Sequence, residues 1–191
     1  MKVVTLHETE FRDTCHRLRD MACGFDANLI VGIATGGVYV AEHICGDVQH
    51  VAVTCRRAGT ASKRRHEGVF RIIRLMPEWV RNRLRIAESQ WLRRKGVPGP
   101  REVSMEPEAA EAIRRATRIL IVDDAVDSGA TLQAVRHAIA EMSPTAAIAT
   151  AAITVTTAQV VERPDYVLFD DETLIRFPWS MDMPAPKGGG R

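Results

Sequence analysis

The stretch Ile119 to Leu132, ILIVDDAVDSGATL, constrains this chain more than any other. Four aliphatic residues in a row suit a strand buried on both faces. Two aspartates end that run, and a short segment of small residues leads into a helical pattern from Ser128 to Met142. A buried strand that turns directly into a helix belongs to a parallel sheet covered by helices on both sides. In such sheets ligands bind where strands end and helices begin.

The rest of the chain repeats this alternation. Residues 8 to 23 carry Phe11, Cys15, Leu18 and Met21 at helical spacing, with Thr9 placed to cap the helix. Asn28 to Ile33 reads as a strand, Val38 to Cys45 as a helix and His50 to Cys55 as a second strand. Pro107 to Ala116 reads as a helix and Arg118 to Val122 as a strand. Ala146 to Val155, Tyr166 to Phe169 and Leu174 to Phe177 complete the set. The expected fold is α/β, a Rossmann-like parallel sheet flanked by helices, in one domain over residues 1–182. The Pro/Gly-rich tail, 183–191, is expected to be disordered.

Charge is unevenly placed. From Arg56 to Arg101 there are fourteen basic residues and three acids, while the remainder is net negative. Residues 56–104 are therefore expected to form a basic hood with a helix from about Glu78 to Lys95, ended by Gly96 to Pro100. The start, MKVVTLHETEF, lacks the apolar core of a signal peptide, and no apolar run approaches the ~20 residues of a membrane span. Cys15, Cys23, Cys45 and Cys55 have no metal or redox spacing, as expected for reduced thiols in the cytoplasm.

Two turns carry chemistry. In the first, backbone N–H groups of Ser128 to Thr131 and the hydroxyls of Ser128 and Thr131 suit a phosphate at a helix start. Asp123 and Asp124 just upstream suit vicinal sugar hydroxyls or a magnesium ion. Together they describe a phosphorylated ribose. The second turn, Ala34-Thr35-Gly36-Gly37, places two glycines where the backbone can approach a ligand without side-chain clash.

ILIVDDAVDSGATL resembles the donor motif of type I phosphoribosyltransferases, which move ribose 5-phosphate from 5-phosphoribosyl 1-pyrophosphate (PRPP) to a nucleophile. The resemblance implies that Asp123 and Asp124 hold the ribose hydroxyls, with Asp124 also near Mg²⁺. It implies that Ala125, Val126 and the residues Ser128, Gly129, Ala130 and Thr131 bind the rest of the donor. Asp127 would be the general base toward a purine nitrogen. The Ala34, Thr35, Gly36 and Gly37 loop, which in the family often holds a cis non-proline peptide, would bind pyrophosphate with Arg56 and Arg57. ILIVDD also resembles the acidic strand of receiver domains, but DSGAT and a preceding strand–loop–helix do not belong there.

The C-terminal string Asp170 to Trp179, DDETLIRFPW, resembles that of xanthine, guanine and hypoxanthine enzymes. Leu174 stands at the position of their base-stacking aromatic. Thr154, Thr156 and Thr157 lie where those enzymes carry a lysine. Leu174, Ile175, Thr154 and Thr156 are thus the expected acceptor contacts. The expected partners are PRPP and a small-molecule acceptor, with a homodimer common in the family. Two alternatives differ in class. One is a PRPP-binding regulator that uses its basic segment on nucleic acid, as a pyrimidine-operon regulator of this fold does; the other is a pathway-specific enzyme with a non-purine acceptor.

Overall fold

The computed structural model describes residues 3–57, 101–170 and 173–180, without the Arg57 side chain. The expected hood helix 78–95, the loop through Arg65, Trp79, Trp91, Asp171, Glu172 and the 183–191 tail lie outside the described residues. In chain order the elements are β1 (Val3–Thr5), α1 (Glu8–Ala22), a 3₁₀ turn (Cys23–Phe25), β2 (Leu29–Ile33), α2 (Gly36–Ile44), β3 (His50–Arg57) and β4 (Arg101–Met105). There follow α3 (Pro107–Arg115), β5 (Arg118–Val126), α4 (Ala130–Met142), β6 (Ala147–Val155), β7 (Tyr166–Phe169) and β8 (Leu174–Arg176).

Six strands form one sheet in the order β4-β3-β2-β5-β6-β7. All neighbours are parallel except β4, which returns antiparallel to β3. β5 sits at the centre because Ile119, Leu120, Ile121 and Val122 are apolar on both faces and all are buried. On one side Leu120 and Val122 pack with Phe11, Cys15 and Leu18 of α1 and Val40, Ala41 and Ile44 of α2. On the other, Ile119 and Ile121 pack with Ile113 of α3 and Leu132, Val135 and Ile139 of α4. β1 and β8 form a separate parallel pair.

Several expected bounds move, each for a local reason. β5 runs through both aspartates to Val126, because the nine-residue β6 offers it partners as far as Val155. β3 reaches Arg57 because β4 pairs with it, Cys55 facing Val103 and Arg56 facing Glu102. The Arg-Glu-Val-Ser-Met of β4 alternates polar and apolar as an edge strand should. α1 is capped at His7, not Thr9: Glu10 reaches back to accept the His7 backbone N–H at 2.8 Å. Met21 is 46% exposed, and Thr14 and Ala22 take inward positions. Among the described residues no helix is long and apolar enough to cross a membrane.

Ile121 has no exposed surface and packs in the cluster of Ile113, Leu132, Val135 and Ile139 on one face of the sheet. Ile121→Ala is expected to cost about 2–5 kcal/mol in urea unfolding. A cost comparable with that of a surface substitution would contradict a central place for β5.

Candidate active site

The parallel strands point their carboxyl ends at one edge, and the two singled-out turns meet there. The Ala34–Thr35 peptide bond after β2 is cis. Ala34 and Thr35 are exposed, whereas Gly36 and Gly37, opening α2, are buried. A Cβ on Gly36 would overlap the Asp124 carboxyl, and one on Gly37 would overlap the Val122 carbonyl and the Asp123 Cα. The glycines therefore make room for the end of β5 itself. The tight approach that the sequence assigned to a ligand is made by the protein's own acidic strand.

Asp123 is buried and Asp124 half-buried. The Asp123 carboxylate accepts the Asp124 backbone N–H at 2.9 Å, and the Asp124 carboxylate accepts the Ala125 N–H at 2.9 Å. Burial pushes the Asp123 carboxyl well above the usual aspartate range, and the Asp124 and Asp127 charges push it further. Burial also raises Asp124, opposed by its side-chain hydrogen bond with Asp123 and by backbone N–H groups. The charges bearing on the pair are themselves carboxylates. Donors from a sugar, or a cation, are what such a pair can accept.

Beyond the acids the chain turns at Gly129, whose φ of 76° favours glycine. Ser128 Oγ accepts the Ala130 N–H at 3.4 Å, and the first bond of α4 runs from Gln133 to the Gly129 carbonyl. The early amides of such a helix have no carbonyl partners inside it and face an anion favourably. Thr131 is half-buried in this first turn, and Ala130 is buried. Ala125 and Val126 stand in β5; Val126 packs with α4 and its carbonyl accepts the Thr156 N–H at 3.0 Å. Asp127 is exposed, and its carboxylate accepts a hydrogen bond from the Thr156 hydroxyl.

Not every expected residue gathers here. Thr154 is fully buried, and its hydroxyl is given to the Thr173 carbonyl at 2.7 Å and the Phe169 carbonyl at 3.3 Å. It fastens the start of β8 to β6, so it does not offer that hydroxyl to an acceptor. Ile175 faces the core with Phe177 and the α1 side chains, and Leu174 is 7% exposed. Trp179 stacks on Phe177 and Tyr39, at 5.0 and 4.6 Å between ring centres, which makes the Pro-Trp string a packing element. Arg56 is exposed at the end of β3.

Arg101 belongs to this edge although it counted only toward the basic surplus. Its guanidinium hydrogen-bonds the Cys55 thiol, whereas its Nε is buried without a partner. Burial raises the Cys55 thiol, Arg101 opposes that, and Asp123 adds to it. The alternation in β4 was the legible signal for this placement. A separate open groove of about 560 Å³, lined by Asn28, Gln49, Glu108, Glu111 and Arg115, lies at the opposite end of the strands. Its Glu111 and Arg115 pair with each other at 2.8 Å, and none of the chemistry of the two turns reaches it.

A family model for the phosphoribosyl transferase domain matches residues 18–186. No curated protein is a significant match by sequence. Among solved structures, a purine phosphoribosyltransferase from Pyrococcus horikoshii Ot3 is similar at 18% identity and a TM-score of 0.62, covering 94% of each chain. A xanthine-guanine-hypoxanthine phosphoribosyltransferase from Helicobacter pylori is similar at 16% identity and 0.62, covering 94% of this chain and 95% of its own. A hypothetical protein from Neisseria gonorrhoeae with bound ppGpp gives 14% and 0.57, covering 93% and 89%.

The raised carboxyls have a consequence for stability. The unfolded chain releases the Asp123 proton near the ordinary 3.8, whereas the folded chain holds it to higher pH. The cost of ionising it thus grows as pH rises from about 4 through the folded value, and is fully present above that. Asp123→Asn removes this cost. The variant should melt above the parent at neutral pH. The difference should shrink toward pH 4. A lower melting temperature for the variant at neutral pH would contradict it.

Proposed function

Since this chain belongs to the phosphoribosyl transferase domain family, we propose that its carboxyl-edge site passes ribose 5-phosphate from PRPP to a purine-type base nitrogen. PRPP-dependent transfer is the activity of the family. The observation that carries the reading for this site is the contact of Gly36 and Gly37 with the end of β5, which sets the two turns side by side.

In this reading Asp123 and Asp124 accept the ribose 2′ and 3′ hydroxyls. The amides and hydroxyls from Ser128 to Thr131 hold the 5′-phosphate. Ala34 to Gly37, with Arg56 and Arg57, face the pyrophosphate, and the charge of Arg101 beside this edge supports that assignment. The base nitrogen attacks C1′, the bond from C1′ to the pyrophosphate oxygen breaks, and pyrophosphate leaves with the electron pair. The proton on the nucleophile goes to the Asp127 carboxylate, which Thr156 holds in place. The protein's part is to fix the ribose and set fixed dipoles where charge develops.

Mg²⁺ fits this donor set as a cation carried by PRPP. Among the described residues no group of three side chains could hold a metal alone, yet the charges that act on the two raised carboxyls come from neighbouring carboxylates. Asp124 would be its protein contact. When bound, Mg²⁺ supplies neutralisation of the pyrophosphate charge. Free thiols throughout the described residues support a reducing, cytoplasmic setting.

A second reading has its own observation. With the Thr154 hydroxyl spent and Ile175 turned to the core, the contacts expected for a purine are incomplete. That supports an acceptor outside the common purines. Pyrophosphate release from PRPP and Mg²⁺ across a panel of bases tells the two readings apart. With the active base, Asp127→Asn should lower kcat by about 10²–10⁴-fold while PRPP affinity holds. Unchanged turnover would contradict the role of Asp127.

A further inference from the structure

The turn expected to hold the 5′-phosphate does not stand alone. The loop from Thr156 to Asp165, between β6 and β7, lies against its back at successive points. The Thr156 hydroxyl holds Asp127, and the Val161 N–H donates to the Ser128 carbonyl at 2.9 Å. Gly129 presses so closely on the Glu162 backbone that a Cβ there would overlap it. The Glu162 carboxylate then accepts a hydrogen bond from Arg136 at 2.6 Å. Arg136 is on α4, the helix that the phosphate turn opens. The ion pair therefore ties the bracing loop to the element that carries the turn.

We propose that Arg136 and Glu162 are positioning residues for the phosphate turn, setting donor affinity without touching the donor. The inference rests on the reading of that turn as the PRPP 5′-phosphate site. As a stability element the pair is weak. Its side chains are 39% and 21% exposed, and ion pairs so placed contribute little to folding. Its place is what matters. Glu162 is covalently continuous with the backbone that packs on Gly129, the one left-handed residue of the turn. Releasing its carboxylate lets that backbone move off, and with it the amides that must converge on a phosphate. Convergent donors lose affinity steeply when displaced.

The test uses the full chain with Glu162→Gln, Arg136→Met and their combination. Calorimetric titrations with PRPP and Mg²⁺, ribose 5-phosphate and inorganic pyrophosphate separate the two halves of the site. Each single variant should weaken PRPP and ribose 5-phosphate by about three- to tenfold, and the double variant no further than either single. Pyrophosphate affinity and melting temperature should stay near the parent values. Unaltered affinity for ribose 5-phosphate would overturn the proposal. So would a parallel loss of all three ligands with a lowered melting temperature, which marks a general structural role. A parent protein that binds neither PRPP nor ribose 5-phosphate would overturn the donor reading as well.

Discussion

The start of α2 can reach the end of β5 only because Gly36 and Gly37 carry no side chains. That contact joins the two turns that sequence order holds far apart. It fixes where Asp124 lies, closes one wall around the acids and directs the first turn of α2 at the same edge as the first turn of α4. The surrounding architecture serves this junction. Aliphatic layers on both faces of β5 hold the strand rigid, and the strands beside it bring further groups to the same edge.

The cost of the junction is electrostatic. Asp123 and Asp124 are taken out of water next to each other, with Asp127 adding a third negative charge. Backbone N–H groups offset part of this. The remainder is a cost that the ribose hydroxyls and Mg²⁺ of the proposed reading would offset. Stability given up at a binding edge is the usual exchange in enzymes, where groups are arranged for a ligand and not for the ligand-free fold.

Much of this was legible in the sequence, and the misses have physical causes. Continuous aliphatic runs marked β2, β5 and β6, and the helices between them followed from apolar spacing and breakers. Strand ends were misjudged because length depends on the neighbour: β5 passes through two aspartates since β6 continues beside it. Met21 has helical spacing for the core, but the packing stripe passes through Thr14 and Ala22 instead. At the site, the acids and glycines were visible as motifs. Their mutual contact was not, because 88 positions separate Gly36 from Asp124 in the chain. Thr154 and Thr156 look alike in the chain, yet one hydroxyl is tied to carbonyls and the other holds Asp127. Only the three-dimensional partners tell them apart.

The central claim is that PRPP lies along this carboxyl edge with its phosphate in the Ser128–Thr131 turn and its pyrophosphate by Ala34–Gly37. Amide hydrogen exchange with and without PRPP and Mg²⁺ tests it most directly. The account predicts slowed exchange in both turns together, with the groove at the opposite end of the strands unchanged. Slowed exchange confined to residues lining that groove, or no change in either turn at saturating PRPP, would contradict it.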